Sequence, residues 1–235
     1  MAVSGGPNIV ENGLIYYLDA ANRASYPGTG TAWNDLAGSG LSGSLVNGPS
    51  FNSANTGNIF FDGSNDFARV EYSPVISTAQ FTVDCVLQEN TPGTGLTVTF
   101  RRIVAWNDNV TTVQFILAQS SNLRGFGIVR ATGTRTPNYY ITGSGQMPNG
   151  IHHVVSTFNG TIYRMYRNGV LEGNAPFVSA GAAIGTPSGS FFIGQRGDNA
   201  GYMSGSIYQL KIYNRALSAE EVLQNYNAVR SRFSI

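Results

Sequence analysis

The side chains able to do acid–base or ligand chemistry are thirteen carboxylates, two adjacent histidines and one cysteine. The carboxylates are Glu11, Asp19, Asp35, Asp62, Asp66, Glu71, Asp84, Glu89, Asp108, Glu172, Asp198, Glu220 and Glu221. A carboxylate pair that cleaves a glycosidic bond with retention must stand ~5–5.5 Å apart. On a strand that requires alternating positions, and no strand-like run carries alternating carboxylates. Glu220 and Glu221 are adjacent but open a helix. His152 and His153 are also adjacent, and neighbouring strand residues point to opposite faces. They cannot hold one ion together, and the expectation is one packed inside and one outside. Cys85 lies in FTVDCVLQ, where alternation puts Phe81, Val83, Cys85 and Leu87 on one face. It reads as a small core hydrophobe, and a single cysteine makes no disulfide within the chain. The chain is therefore expected not to be an enzyme.

The elements that position these residues must be built from an unusual composition. Of 235 residues, 42% are apolar and only 11% charged, against a usual ~25%. Net charge is +1, with no basic stripe of the kind that phosphate binding needs, so nucleic acid is not an expected partner. Thirteen of the fourteen basic residues are Arg, and Lys211 is the only Lys. Arg is enriched and Lys depleted at protein interfaces, which suggests packing in an assembly. The start, MAVSGGPNIVENG, has no charged or apolar leader pattern. No apolar run approaches the ~18 residues of a membrane span.

Short β-prone runs recur: GLIYYL, NIFFD, FARVEY, FTVDCVL, TVTFRRIVAW, TVQFILA, GFGIVRA, YYIT, IHHVVSTF, TIYRMYR, SFFIG and SIYQLKIY. Their spacing predicts an all-β sandwich or barrel rather than βαβ units. Asn159-Gly160 predicts a type I′ hairpin turn, and Asn168-Gly169 the next turn. The stretches 29–57 and 178–190, rich in small residues, read as surface loops. Residues 1–12 read as an extended arm, and residues 13–235 as one domain. At the end, Ser218 followed by Glu221 matches a capping box. Leu217 is a staple residue, and Val222, Leu223 and Tyr226 form an apolar stripe. A helix over 219–227 is expected, too short to stand alone and therefore docked on the sandwich.

The order of these motifs resembles a known family. FFDGSNDFARV, FTVDCVL, GIHHVVSTFNGTIYRMYRNGV and the terminal YNRALSAEEV are similar to the successive motifs of laminin G-like, concanavalin A-like jelly-roll domains. Ile151 stands where the family usually has Trp. The resemblance runs from about Gly13 to Tyr226. It implies two packed antiparallel sheets with a short C-terminal helix. Residues 7–40, PNIVENGLIYYLDAANRASYPGTGTAWNDLAGSG, resemble such domains in tailed-bacteriophage virion proteins. That implies a virion component assembled in the bacterial cytoplasm, on capsid or tail, with other virion proteins or further copies of itself as partners. The second implied reading is a lectin-like adhesin for a bacterial surface polysaccharide. A glycoside hydrolase ranks third.

The resemblance also directs attention to particular sites. Sugar binding, the family's common activity, needs an exposed aromatic beside polar groups. The candidates are Trp106 with Asn107 and Asp108, Tyr139 and Tyr140, and Tyr202 with Arg196, Asp198 and Asn199. Trp33 is expected to be packed. Related jelly rolls often hold a structural calcium ion near the FDG segment, which points to Asp62, Asn65 and Asp66. The late strand departs from the family, with Tyr208 and Gln209 where acids would sit. Assembly contacts are expected at Asn8, Ile9 and Val10 by strand addition, and at Arg230, Arg232, Phe233 and Ile235.

Overall fold

The computed structural model describes residues 7–54, 56–71, 80–90, 101–107, 113–119, 125–129, 139–142, 149–176, 189–195 and 201–235. The described strands are β1 (Leu14–Asp19), β2 (Ala32–Asn34), β3 (Ser42–Val46), β4 (Ser50–Asn52), β5 (Asn58–Asp62), β6 (Phe67–Val70), β7 (Phe81–Glu89) and β8 (Arg101–Asn107). They continue with β9 (Val113–Gln119), β10 (Gly125–Val129), β11 (Tyr139–Thr142), β12 (His152–Phe158), β13 (Ile162–Arg167), β14 (Val170–Pro176), β15 (Phe191–Ile193) and β16 (Ser204–Tyr213). One helix, α1 (Ala219–Phe233), follows.

The strands form two antiparallel sheets. The first runs β14-β13-β12-β7-β16-β5-β4, and β1 also pairs with β16. β16 is ten residues long. Its first half pairs with β5 and its second half with β1, while β7 occupies the other edge. The second sheet runs β11-β10-β9-β8-β15-β6-β3-β2. Alternation decides which side chains fill the space between the sheets. Phe81, Val83, Cys85 and Leu87 of β7 all do so, as expected, with Val154 and Phe158 of β12 and Ile207, Leu210 and Ile212 of β16. From the second sheet come Leu45, Ala68, Val70, Val104, Trp106, Phe191 and Ile193. Trp33 is fully buried in the same core.

The structure corrects two local expectations and bears out a third. The Gly- and Ser-rich stretch 29–57 is not only loop, for it contains β2, β3 and β4. Ser42–Val46 alternates exposed and buried positions, with Gly43 and Leu45 inward, a pattern that its small residues conceal. The Asn159-Gly160 turn is not type I′, because of this pair only Gly160 has positive φ. Instead the Asn159 carboxamide accepts the Thr161 and Ile162 amides and closes a longer turn. Asn168 and Gly169 both have positive φ, at 48° and 78°, so the two-residue turn lies there, with Arg167 opposite Val170.

Helix α1 runs to Phe233, six residues beyond the expected end. Its capping box is present: the Ser218 hydroxyl accepts the Glu221 amide, and the Glu221 carboxylate accepts the Ser218 amide. Leu217 and Val222 pack in one cluster, as a staple requires. The helix continues because Val229 and Phe233 extend the buried stripe, and Arg230 and Arg232 suit the negative helix end. Leu223 is not in the stripe but largely exposed. The helix covers the outer face of the first sheet, against Val155, Tyr166 and Tyr213 at one end and Val86 and Tyr208 at the other.

Candidate functional site

Beside these apolar contacts the first sheet also presents polar side chains under α1. Asp84, His153, Lys211 and Asn225 are all fully buried. Lys211 and Asp84 sit opposite each other on β16 and β7. Lys211 Nζ lies 3.0 Å from Asp84 Oδ1, donates to Gln209 Oε1 at 3.3 Å and lies 5.6 Å from the centre of the Tyr17 ring. On the other side Asn225 Nδ2 donates to Asp84 Oδ2 (2.8 Å), and His153 Nε2 lies 3.1 Å from the same oxygen. Burial pushes the Asp84 carboxyl up. The Lys211 charge and His153 together outweigh that and hold it well below the usual carboxylate range.

The network runs on in both directions. Asn225 Nδ2 also donates to the Tyr213 hydroxyl, which donates to the Val10 carbonyl (3.0 Å). The Val10 amide donates to Asn225 Oδ1 (2.8 Å), and Gln224 Nε2 donates to the Asn8 carbonyl (2.8 Å). At the far end Gln209 Nε2 donates to Asp19 Oδ2, whose carboxylate also takes Arg232 in a two-pronged ion pair at 2.6 and 2.8 Å. Burial raises the Asp19 carboxyl, but the Arg232 and Gln209 bonds bring it below its ordinary value. A chain of paired polar groups thus fastens the helix and residues 8–10 to the sheet.

This accounts for several residues picked out in the sequence. His152 and His153 do point to opposite faces, but both are buried, because the outer face lies under α1. His153 stacks on the Tyr226 ring. Asn8 and Val10 bond to side chains of the chain's own helix and sheet instead of adding a strand. Val10 is buried in a cluster with Tyr213 and Val222, and Ile9 is half-buried. Arg232 is committed to Asp19, and Phe233 is buried edge-on against Tyr208 with Ile235 beside it. Of the C-terminal group, Arg230 is left exposed.

The aromatic candidates also divide. Trp106 is not a surface platform: it is 3% exposed and packs 4.4 Å from Phe191 in the core. The alternation of β8 sends it inward, which its loop-like neighbours Asn107 and Asp108 disguise. Asn107 ends β8, and Tyr139 and Tyr140 lie on β11, the first strand in the second sheet's order. Tyr202 is half-buried. Asp108, Arg196, Asp198 and Asn199 lie outside the described residues. Asp62 and Asp66 shape a turn. Asp62 Oδ1 accepts the Ser64 and Asn65 amides, Asp66 Oδ2 accepts the Asp62 amide, and the Asn65 carbonyl accepts Asn47 Nδ2. Among the described residues no three His, Cys, Asp or Glu side chains converge at metal-binding geometry.

A surface cleft forms where three segments meet: the turn after β1, the β4–β5 connection and the end of α1. Its volume is about 320 Å³, and its walls include Arg23, Tyr26, Phe51, Ser53, Thr56 and Arg232. Tyr26 and Phe51 pack at 5.2 Å between ring centres. The Tyr26 hydroxyl donates to the Gly30 carbonyl, which fixes the ring, while Phe51 is half-buried. Arg232 donates to the Thr56 carbonyl at 3.2 Å, so the ion-paired end of α1 supports the opposite wall. Thr56 has φ of 72°. A β-branched residue rarely adopts that conformation, and such strain concentrates at ligand sites. Among the described residues no carboxylate lines the cleft. Nothing in the sequence marked it, because its walls come from the turn after β1, from β4 and the connection that follows it, and from a helix end 176 positions beyond Thr56.

Comparison with known proteins gives a consistent picture. The family model of the concanavalin A-like lectin/glucanases superfamily matches residues 62–223. No curated protein matches the chain. Among solved structures, the binding domain of botulinum neurotoxin DC in complex with SialylT is 13% identical, with a TM-score of 0.71 over 93% of this chain and 52% of that one. Trypanosoma rangeli sialidase in complex with sialic acid is 16% identical, with a TM-score of 0.65 over 97% of this chain and 36% of that one. Domain 4 of a GH43 extracellular arabinanase from Geobacillus stearothermophilus, in complex with arabinotriose, is 14% identical, with a TM-score of 0.60 over 91% of this chain and 98% of that domain. The chain spans about a third to a half of the sialidase and neurotoxin chains, and at these identities the likeness is one of fold.

Proposed function

Because the chain belongs to the concanavalin A-like lectin/glucanases superfamily, we propose that it is a non-enzymatic, lectin-like module that binds a bacterial surface polysaccharide through this cleft. The observation that carries the reading is the cleft itself. A half-buried aromatic face stands beside guanidinium and hydroxyl groups on walls held in place by ion pairing, the mix of apolar surface and few fixed polar groups typical of small-ligand sites. The lack of a carboxylate on those walls among the described residues supports binding without hydrolysis. The setting, a tailed-bacteriophage virion, rests on the resemblance of residues 7–40. Within it, recognition ranks ahead of pure assembly, because Asn8, Val10, Arg232 and Phe233 make contacts inside the chain. A structural calcium ion at Asp62 and Asp66 would need further ligands from solvent or from outside the described residues.

The test is binding of the purified chain to an array of bacterial surface polysaccharides, with Phe51→Ala as the control. The expected result is saturable binding to a subset, lost in Phe51→Ala at an unchanged fold, with no reducing ends released. Absence of binding to every polysaccharide would overturn the reading. So would binding that Phe51→Ala leaves intact, or release of sugar that a single carboxylate substitution abolishes.

A further inference from the structure

We propose that the cleft selects an acidic saccharide, a sugar bearing a carboxylate, and that Arg23 is the residue that binds the carboxylate. The inference rests on the cleft being the glycan site and adds its ligand class. Its first ground is the charge on the walls. Two arginines and no carboxylate line the cleft among the described residues. They are not equivalent. Arg232 has its charge answered by Asp19, donates a further hydrogen bond to the Thr56 carbonyl and lies 4.8 Å from the centre of the Phe233 ring. Arg23 is exposed, and no hydrogen bond or ion pair engages its side chain among the described residues. Arg69, Arg167 and Arg215 each have a carboxylate partner, and Arg164 and Arg230, which have none among the described residues, do not line the cleft. In a chain that is only 11% charged, an unanswered guanidinium on a cleft wall is a specific feature. A guanidinium matches a carboxylate with two parallel N–H donors, so it confers orientation as well as attraction.

The second ground is how firmly the backbone around Arg23 is held. Asn22 Oδ1 accepts the Ala24 amide, and the Asn22 carbonyl accepts the Ser25 and Tyr26 amides at 2.9 and 2.8 Å. The Ser25 hydroxyl donates to the Asn34 carbonyl and accepts the Asp19 amide. The turn that presents Arg23 is therefore tied to β1 and β2 on both sides, so the ordering cost of ligand capture falls on the Arg23 side chain and not on its backbone. The third ground is arrangement. Phe51, half-buried, lines the cleft together with the hydroxyl-bearing residues Ser53 and Thr56. A cleft of about 320 Å³ lies at the lower end for small-ligand sites, which fits one or two sugar rings and not a long stretch of polymer.

The experiment is calorimetric titration of the full chain with two probes that differ only in the acid. One is an oligogalacturonate. The other is the same oligomer with its carboxyl groups reduced to primary alcohols. N-acetylneuraminic acid serves as a second acidic probe. Each is measured with the wild-type chain, Arg23→Gln and Phe51→Ala. The expected result is that at least one acidic probe binds, and that carboxyl reduction and Arg23→Gln each weaken binding by about tenfold to a hundredfold. Arg23→Gln should also flatten the salt dependence. Arg23 is exposed, so this variant should melt as the wild type does. Equal binding of acidic and reduced probes, with Arg23→Gln silent and Phe51→Ala damaging, overturns the acidic class and leaves the lectin reading standing. No binding of acidic or neutral probes, in a chain that also fails on the polysaccharide array, overturns both.

Discussion

Lys211→Met removes one charge from a site closed to solvent and leaves Asp84 facing His153 and Asn225. At 3.0 Å and an effective dielectric of ~20, the attraction between Lys211 and Asp84 is roughly 5 kcal/mol. Much of it offsets the cost of taking both charges out of water, so the pair contributes little beyond an apolar substitute. Deleting a single partner is different, because the desolvation of the other is then unopposed, and such deletions cost about 3–5 kcal/mol. The Asn225 amide still donates to Asp84, which places the expected loss near the lower end, about 3 kcal/mol. Methionine has a similar length and no polar head, so packing against Tyr17 changes little. For a chain of this size each kcal/mol lowers Tm by roughly 2–4 °C, giving a drop of about 6–12 °C. Thermal and urea unfolding followed by circular dichroism measure it. The double variant Lys211→Met with Asp84→Leu removes both charges and should recover at least half of the loss. A single variant within about 0.5 kcal/mol of the wild type, or a double variant worse than the single, would refute the claim that an unpaired charge is what costs stability.

Acid should weaken the fold through the same groups. Asp84 and Asp19 titrate below their ordinary values in the folded chain. The stability they supply is present above pH ~4 and is lost as pH falls through the depressed folded values. Urea midpoints measured from pH 7 to 2 should therefore decline below about pH 4, and the gap between wild type and Lys211→Met should narrow, since protonation relieves the unpaired Asp84. A gap that widens on acidification contradicts the assignment. Ser218→Ala removes the cap acceptor for the Glu221 amide and should cost about 1 kcal/mol. Urea unfolding would register it, and hydrogen exchange should show the loss concentrated in the first turn of α1.

The strands that sequence reveals are those whose apolar residues make their own alternation visible, such as Phe81–Glu89 and Ser204–Tyr213. β2 to β4 are hidden because Gly43, Ser42 and Ser44 leave a pattern that only their neighbours complete. The helix start is legible because Ser218 and Glu221 act locally. Its true end is not, because Phe233 is helical on account of Tyr208, which lies on another element. The polar network is the least legible feature. Lys211 and Asp84 are separated by 127 positions, and neither is unusual where it stands. A signal existed in the only lysine of the chain sitting mid-strand between Leu210 and Ile212, on the face opposite the core. Trp106 misleads for the converse reason: its chain neighbours are polar, but the strand turns it inward.

The place of β16 in the first sheet has a consequence for how the chain reaches this structure. It is the last strand in chain order, yet it pairs with β7 on one side and with β5 and β1 on the other. During synthesis β7 emerges more than a hundred residues before its partner. Until β16 arrives, one edge of β7 and the pairing edges of β1 and β5 stay open, with Asp84 awaiting Lys211. Closure of the middle of the sheet is then a late and strongly non-local event, which slows folding and lengthens the interval in which exposed edges can pair with other chains. A nascent chain stalled before residue 204 should therefore depend on chaperones, and emergence of β16 and α1 should convert it to a closed sandwich.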